Sequence, residues 1–267
     1  MLSALRTITC AIPVLNGAAT LDWTIASLRA QRGVDVRVIA VDSGSTDATL
    51  EICNRWGIET RFAERGNMYR AVNAGLEDAG TPWVTYLNSD DIVYPTAFRD
   101  LIALAEAESA DLAYGDPDYV DEDGRFLYAL RSAAPAELLT LFRIPQQGLP
   151  QPGTIFSRAL YDRLGGFDTG FRLSGDADFF LRALQSGAKF VRHPAPVCGF
   201  RLHGAQQTET QAAAVREENR RIRTAAGGAS IVARAAMLKW RLRNARNYVV
   251  RYLRTGSLRG GPPPRST

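Results

Sequence analysis

Cysteine is scarce in this 267-residue chain, and what little there is does not pair. Cys10, Cys53 and Cys198 are odd in number and show no C-x-x-C or C-x-x-H spacing, which excludes a disulfide-stapled scaffold and a zinc ribbon and fits a reducing cytoplasm. Long apolar runs are missing too. None approaches the roughly 18 residues of a membrane span, and Met1 to Ile8 is short and polar for a signal peptide, so the expectation is a chain that does not cross a membrane. Internal repeats are absent. With 46% hydrophobic and 22% charged residues the composition is globular, which excludes a disordered or collagen-like chain. At about 150 residues per domain, the length allows one or two domains.

Negative charge is missing from one end. Residues 1–200 carry a net charge of −7 and residues 201–267 one of +11, so the overall +4 hides a basic C-terminal segment. Between Ile231 and Leu253 apolar residues alternate with Arg234, Lys239, Arg241, Arg243, Arg246 and Arg251, without one acid.

What is present is an alternation of short β-rich runs and helical spacings. Thr7–Val14 and Val36–Val41 read as strands around a helix at Leu21–Gln31. A helix at Asp47–Trp56, a strand at Glu59–Phe62, a helix at Tyr69–Ala79 and a strand at Trp83–Leu87 follow. Such alternation predicts a mainly parallel sheet with right-handed crossovers and helices on both faces. Ligands of such sheets bind beyond the carboxyl ends of the strands. Those ends read Pro13-Val14-Leu15-Asn16, Asp42-Ser43-Gly44-Ser45-Thr46-Asp47 and Asn88-Ser89-Asp90-Asp91. Thr46-Asp47 also suits a helix N-cap, and Asp42 suits the turn that Gly44 permits.

The second half is less regular. A strand at Leu112–Tyr114 precedes an acidic turn over Asp116–Gly124, Pro145–Pro152 reads as a loop, and Ser157–Leu164 as a short helix ended by Gly165-Gly166. A helix at Asp176–Gln185 puts Asp176 at its N-terminus, where the helix dipole favours a carboxylate whatever its role. Ala212–Gly228 reads as a polar, basic helix and Gly256–Thr267 as a disordered tail.

Over roughly Ile8–Thr208 the ordered set of motifs resembles the family 2 glycosyltransferases, which move a sugar from a nucleoside diphosphate donor to an acceptor with inversion. The set comprises Ile12–Asn16, Val41–Thr49, Arg70–Leu76, Asn88–Asp91, Tyr114-Gly115-Asp116, Gly165–Asp168, Gly175–Arg182 and Phe200–Thr208. The resemblance implies a GT-A fold: a Rossmann-like, mainly parallel α/β sheet flanked by helices. Its catalytic domain would span residues 1–210, with the nucleotide-sugar half to about 115. A basic amphipathic helical extension over 211–255 and a tail over 256–267 would follow.

It also implies roles. Pro13, Leu15, Asn16, Asp42 and Ser43 would line the nucleobase pocket, usually a uracil site, although many members carry Asp where Ser43 stands. Arg70, Asn73, Asn88, Ser89 and Arg201 would approach the rest of the donor. Asp90 matches the metal-binding aspartate of the family's Asp-x-Asp segment, whose first position is here Asn88, and His203 matches a histidine near metal and diphosphate. Mn²⁺ or Mg²⁺ is the implied cofactor, since a hard cation stabilises the charge gathering on a diphosphate leaving group. Asp176 matches the general base, with Gly175 replacing the frequent preceding acid. Asp178 and His193 read as structural.

The expected partners are a UDP-sugar or related donor and a glycan or lipid-linked acceptor in cell-surface polysaccharide or glycolipid synthesis. The basic extension suits either an anionic membrane surface on the inner face of the plasma membrane or packing on the catalytic domain; no nucleic-acid module is present. A nucleotidyltransferase would carry a Gly-rich basic loop after the first strand, and Pro13–Gly17 is not one. A non-catalytic nucleotide- or glycan-binding relative is the alternative.

Overall fold

The computed structural model describes residues 5–144, 148–204 and 211–258. The first half alternates as the sequence predicts: β1 (Arg6–Val14), α1 (Leu21–Arg29), β2 (Val34–Asp42), α2 (Thr49–Arg55), β3 (Glu59–Phe62), α3 (Met68–Leu76) and β4 (Trp83–Tyr86). Then come β5 (Ile92–Val93), α4 (Ala97–Ala107), β6 (Leu112–Val120), β7 (Phe126–Ala129), α5 (Pro135–Leu141), β8 (Thr154–Ser157), α6 (Arg158–Arg163), α7 (Gly175–Gln185) and β9 (Phe190–Arg201). Three C-terminal helices close the chain: α8 (Ala212–Ala225), α9 (Ile231–Arg243) and α10 (Ala245–Thr255).

The strand order is β3-β2-β1-β4-β8-β6-β9-β5, with β7 on β6. The sheet is mixed: mainly parallel, as expected, but not purely so. β1–β2, β1–β4, β2–β3 and β6–β9 run parallel, whereas β4–β8, β5–β9, β6–β7 and β6–β8 run antiparallel. The antiparallel strands lie after β4, where regular alternation with helices stops; they need no crossover helix, so the pattern that announced the first half is silent about them. β6 also continues through Asp116 to Val120, leaving only residues 121–124 for the expected acidic turn.

Burial on both faces explains the apolar strands. In β1, Ile8, Cys10 and Ile12 pack toward α1 and α4, while Ala11 joins the opposite cluster with Val72 and Leu76 of α3 and Phe179 of α7. Helix starts follow local chemistry: Asn67 accepts from the amides of Tyr69 and Arg70 ahead of α3, Ser157 from Leu160 N in α6, and Ser230 from Ala233 N in α9. Each such cap contributes about 1 kcal/mol.

The C-terminal segment is two helices, not one. They part at Asn244, which is fully buried; its Oδ1 accepts from Arg131 N at 2.7 Å and its Nδ2 donates to Arg131 O at 3.1 Å. Trp240 also turns inward, 3% exposed, and donates from Nε1 to Arg131 O at 2.9 Å; Tyr248 meets its ring edge-on. Helices α9 and α10 thus pack on the domain through the aromatic residues of the basic segment.

Candidate active site

The ends of β2, β1 and β4 are neighbours in the sheet, and the loops that follow them are stitched together. Asn16 adopts a left-handed φ of 52°, which Asn tolerates better than most residues; its Oδ1 accepts from Thr46 N at 2.8 Å and its amide donates to Ser45 Oγ at 2.8 Å. Ser43 N donates to Val14 O. The Asp42 carboxylate, 4% exposed, accepts from the amides of Gly44 at 2.9 Å and Ser45 at 3.1 Å, so it builds the turn after β2. Asp47 accepts from Ala18 N and Thr49 N, tying the two loops just ahead of α2; the N-cap position itself is Ala48, one residue beyond the expected Thr46-Asp47.

The loop after β4 belongs to the same surface. Thr20 Oγ1 donates to Ser89 O at 2.8 Å, and a side chain at Gly17 would collide with Val14 and press on Ser89. Pro13, Leu15, Asn16, Asp42, Ser43, Asn88 and Ser89 therefore share one edge, with Leu15 and Asn16 exposed at its rim.

Within the β4 loop, Asp90 Oδ2 lies 2.8 Å from His203 Nε2, just past the end of β9. Asp91 is 1% exposed; burial, with the charge of Asp90 beside it, pushes its carboxyl well above the usual range. Arg201 N donates to Asp91 Oδ1 at 3.0 Å. Arg201 itself, expected at the donor, is 1% exposed, stacks over Trp23 at 4.4 Å and donates to the carbonyls of Asp90, Asp121 and Glu122. It fixes the backbone beneath Asp90 rather than facing the cleft.

Asp176 stands in the first turn of α7. Tyr69 Oη donates to its Oδ1 at 3.1 Å, and the buried Tyr69 ring stacks on Phe167 and meets Tyr86 edge-on. Burial pushes the Tyr69 phenol well above its ordinary range, with the Asp176 charge adding to it, so at neutral pH the hydroxyl keeps its proton and can only donate to a carboxylate. Gly175 is explained here: a Cβ would sit 2.7 Å from the Tyr69 ring, so the acid that relatives carry has no room. Because Tyr69 bonds Asp176 and meets Tyr86, the last residue of β4, the α7 start lies at the end of β4 from which the Asn88–Asp91 loop leaves.

Two donor candidates lie elsewhere. Asn73 accepts from Tyr161 Oη and Phe167 N and donates to Phe167 O, so its amide is saturated by the loop before α7. Arg70 is exposed and paired with Glu64 at 2.6 Å. Asp178 pairs with Arg182 across one helical turn, and His193 Nδ1 accepts from Ala195 N, both structural as expected. Asp116, in a motif assigned to a strand end, is 5% exposed and paired with Arg192. Residues 205–208 of the last motif, and 145–147 of the predicted loop, fall outside the described residues.

Sequence patterns missed what holds these groups. Gln151 donates from Nε2 to Tyr86 O at 2.7 Å and sits 3.5 Å from Asn88 Nδ2. Glu218 of α8, 9% exposed, accepts from the amides of Arg172, Leu173 and Ser174 at 2.8–3.0 Å, fixing the entry to α7 two residues before Asp176. An acidic pair, Glu217-Glu218, inside an arginine-rich helix was the one available signal, and it does not say which of the two turns inward.

The fit to a divalent cation follows from the donor set. Among the described residues no group of three His, Cys, Asp or Glu could hold a metal ion. Asp90 and His203 make a two-residue set, and Asn88 Oδ1 beside them is buried with no hydrogen-bond partner among the described residues. One carboxylate plus a nitrogen suits Mg²⁺ or Mn²⁺ when diphosphate and water complete the shell.

Residues 9–164 match the family described as Glycosyl transferase family 2. The chain belongs to that family. Among curated relatives, this family 2 glycosyltransferase is 30% identical over 191 residues to a "PGL/p-HBAD biosynthesis glycosyltransferase" of Mycobacterium bovis, covering 68% of this chain and 71% of that one. It is 36% identical over 210 residues to the "Succinoglycan biosynthesis protein ExoO" of Rhizobium meliloti, covering 70% of this chain and 58% of ExoO. Among solved structures, S. aureus TarS 1–349 with UDP-GlcNAc aligns with a TM-score of 0.61 at 16% identity, over 77% of this chain and 61% of that one. Mannosyltransferase PcManGT of Pyrobaculum calidifontis, with GDP-Man and Mn²⁺, aligns at 0.56 and 18% identity, over 93% and 83%. At these identities the two structures speak for the fold, which is the GT-A fold. The chain spans less than two thirds of ExoO and of the TarS fragment.

Proposed function

We propose that this glycosyltransferase transfers a sugar from a nucleoside diphosphate sugar, in the first place a UDP-sugar, to a hydroxyl of a glycan or lipid-linked acceptor, with inversion. The observation that carries the reading is the placement of Asp176 and the Asp90 loop at one end of β4, bridged by the Tyr69–Tyr86 pair. An inverting displacement needs a base on the acceptor side and charge stabilisation on the leaving-group side of a single cleft.

In this reading Asp176 accepts the acceptor hydroxyl's proton as its oxygen attacks the anomeric carbon. Tyr69 aims the carboxylate through the hydrogen bond it donates. Asp90 and His203 would hold Mn²⁺ or Mg²⁺. When bound, the cation neutralises charge on the departing diphosphate. With Asn in place of the family's first acid, the site carries one negative charge fewer, so a weaker cation affinity is expected. Leu15, Asn16 and Ser43 lie where a base and ribose would rest. Relatives named for PGL/p-HBAD and succinoglycan biosynthesis support a biosynthetic role of this kind.

The test is a screen of purified protein against UDP-, GDP- and dTDP-sugars with and without Mn²⁺, following nucleoside diphosphate release and thermal stabilisation. A donor that binds raises the apparent Tm by mass action. One sugar nucleotide raising Tm in a cation-dependent way is the expected result; silence across all donors would sink the reading, leaving a glycan-binding relative.

A further inference from the structure

We propose that the outward face of α9 and α10 docks on an anionic lipid bilayer. The argument begins with a helix that is apolar on the wrong side. In α9, Ala233 and Trp240 face the domain, yet Ile231, Leu238 and Leu242, spaced by seven and four residues, stand on the opposite side at 85, 58 and 66% exposure. Val249 and Leu253 repeat this one helical turn apart on α10, at 58 and 76% exposure. A soluble helix buries one apolar stripe; α9 buries one and presents a second to solvent.

The second stripe is flanked by charge of one sign. Arg234 and Arg241 lie on one side of it and Lys239 on the other, all exposed, and Arg246 and Arg254 are exposed along one side of the α10 pair. No acidic residue occurs after Glu218. This combination selects the occupant. A second copy docking through the same face would bring cation against cation with no acid there to answer it. A nucleic acid would leave the leucines in water. An anionic bilayer satisfies both parts, because the side chains enter the interface while the basic residues meet the headgroups. No helix among the described residues is long and apolar enough to cross a membrane, so the contact is interfacial.

The surface is also connected to the site. Val250 of α10 packs in one cluster with Tyr128 and with Leu202, the neighbour of His203. A bilayer under α9 and α10 would therefore lie close to the cleft and favour an acceptor whose hydroxyl is carried on a lipid.

The test is sedimentation of the full chain with phosphatidylcholine vesicles, with and without about 30% phosphatidylglycerol, at low salt and at about 0.15 M, where charge is screened beyond about 8 Å. Binding to anionic vesicles that weakens with salt is expected. Combining Leu238→Asp with Leu242→Asp should abolish it, and Arg234→Glu with Lys239→Glu and Arg241→Glu should lower partitioning at least roughly 100-fold; both sets change exposed residues away from the cleft, and circular dichroism and donor-induced Tm shifts check that they fold. Equal binding to neutral vesicles, no binding at low salt, or a dimer in light scattering abolished by the Leu238→Asp and Leu242→Asp pair would each overturn the proposal. Because the assay needs no donor, its failure is separable from failure of the glycosyl-transfer reading.

Discussion

The two sides of the proposed cleft, the proposed donor side and the proposed base side, are held together in different ways. On the donor side, Asn16, Asp42, Ser45 and Asp47 bond the loops in which they sit or the adjacent one, so motif and support coincide. On the base side, Asp176 is positioned by Tyr69 and by Glu218, which lie 107 residues before it and 42 after it, while Asn67 ties the preceding loop by donating to Thr169 O and Phe171 O. The donor side is a local construction and the base side a tertiary one. Damage on the first should stay in donor affinity, whereas damage to remote supports of the second should reach turnover.

The largest expected effect comes from exchanging the two carboxylates' roles for amides. Asp176→Asn should lower kcat about 10³-fold while leaving the donor-induced Tm shift intact, because proton removal is lost and the donor pocket is not. Asp90→Asn should lower kcat/KM about 10²-fold and abolish both Mn²⁺ stimulation and the sensitivity of the Tm shift to a chelator. If both variants lost donor binding equally, the division between the two sides would fail.

A smaller effect is expected at Glu218. Glu218→Gln keeps an acceptor but loses the charge that strengthens three amide hydrogen bonds, so kcat should fall about tenfold with donor KM unchanged. Glu218→Ala would leave three amides without their acceptor, at about 2–3 kcal/mol of stability, read by urea unfolding. Asp47→Ala is the control on the other side. It removes acceptors from Ala18 N and Thr49 N, and should cost about 1 kcal/mol and weaken donor binding a few-fold with kcat preserved.

The same contrast explains what could be foreseen. The alternation through β4 and the polar strand ends were legible because parallel strands announce themselves through the helices between them, and because turn residues act within a few positions. Strand β8 and the extension of β6 through Asp116 to Val120 were not, since antiparallel neighbours leave no helical spacing. Asp176 was found by its motif, but neither the Tyr69 hydroxyl beneath it nor the reason for Gly175 could be seen until the two segments met in space. Arg201 shows the opposite failure. Arginine at a motif suggests a phosphate, yet its guanidinium is consumed by backbone carbonyls of the loops it joins. The basic extension left membrane contact and packing on the domain both open; Trp240 and Tyr248 turn inward to anchor it, leaving the leucines outside.

The smallest effect tests the seam between the halves. Tyr94, which follows β5, donates from Oη to Asp118 Oδ2 of β6 at 2.7 Å. Burial raises the Asp118 carboxyl above its ordinary 3.8, the Tyr94 hydrogen bond offsets part of that, and Asp116 nearby adds to it. A raised folded-state value means that the folded chain holds this proton when the unfolded chain has already released it. The contribution of Asp118 to stability is therefore greatest below pH 3.8, falls as pH rises through the interval up to the folded value, and is constant above it. Asp118→Asn keeps an acceptor for Tyr94 and cannot ionise, so the fall disappears. The Tm of the variant relative to the parent should rise as pH climbs above 3.8 and level off above the folded value, with donor affinity and kcat unchanged. A Tm difference independent of pH would show that burial does not hold this carboxyl up, and a change in kcat would show that the seam, like Glu218, belongs to the tertiary support of the base.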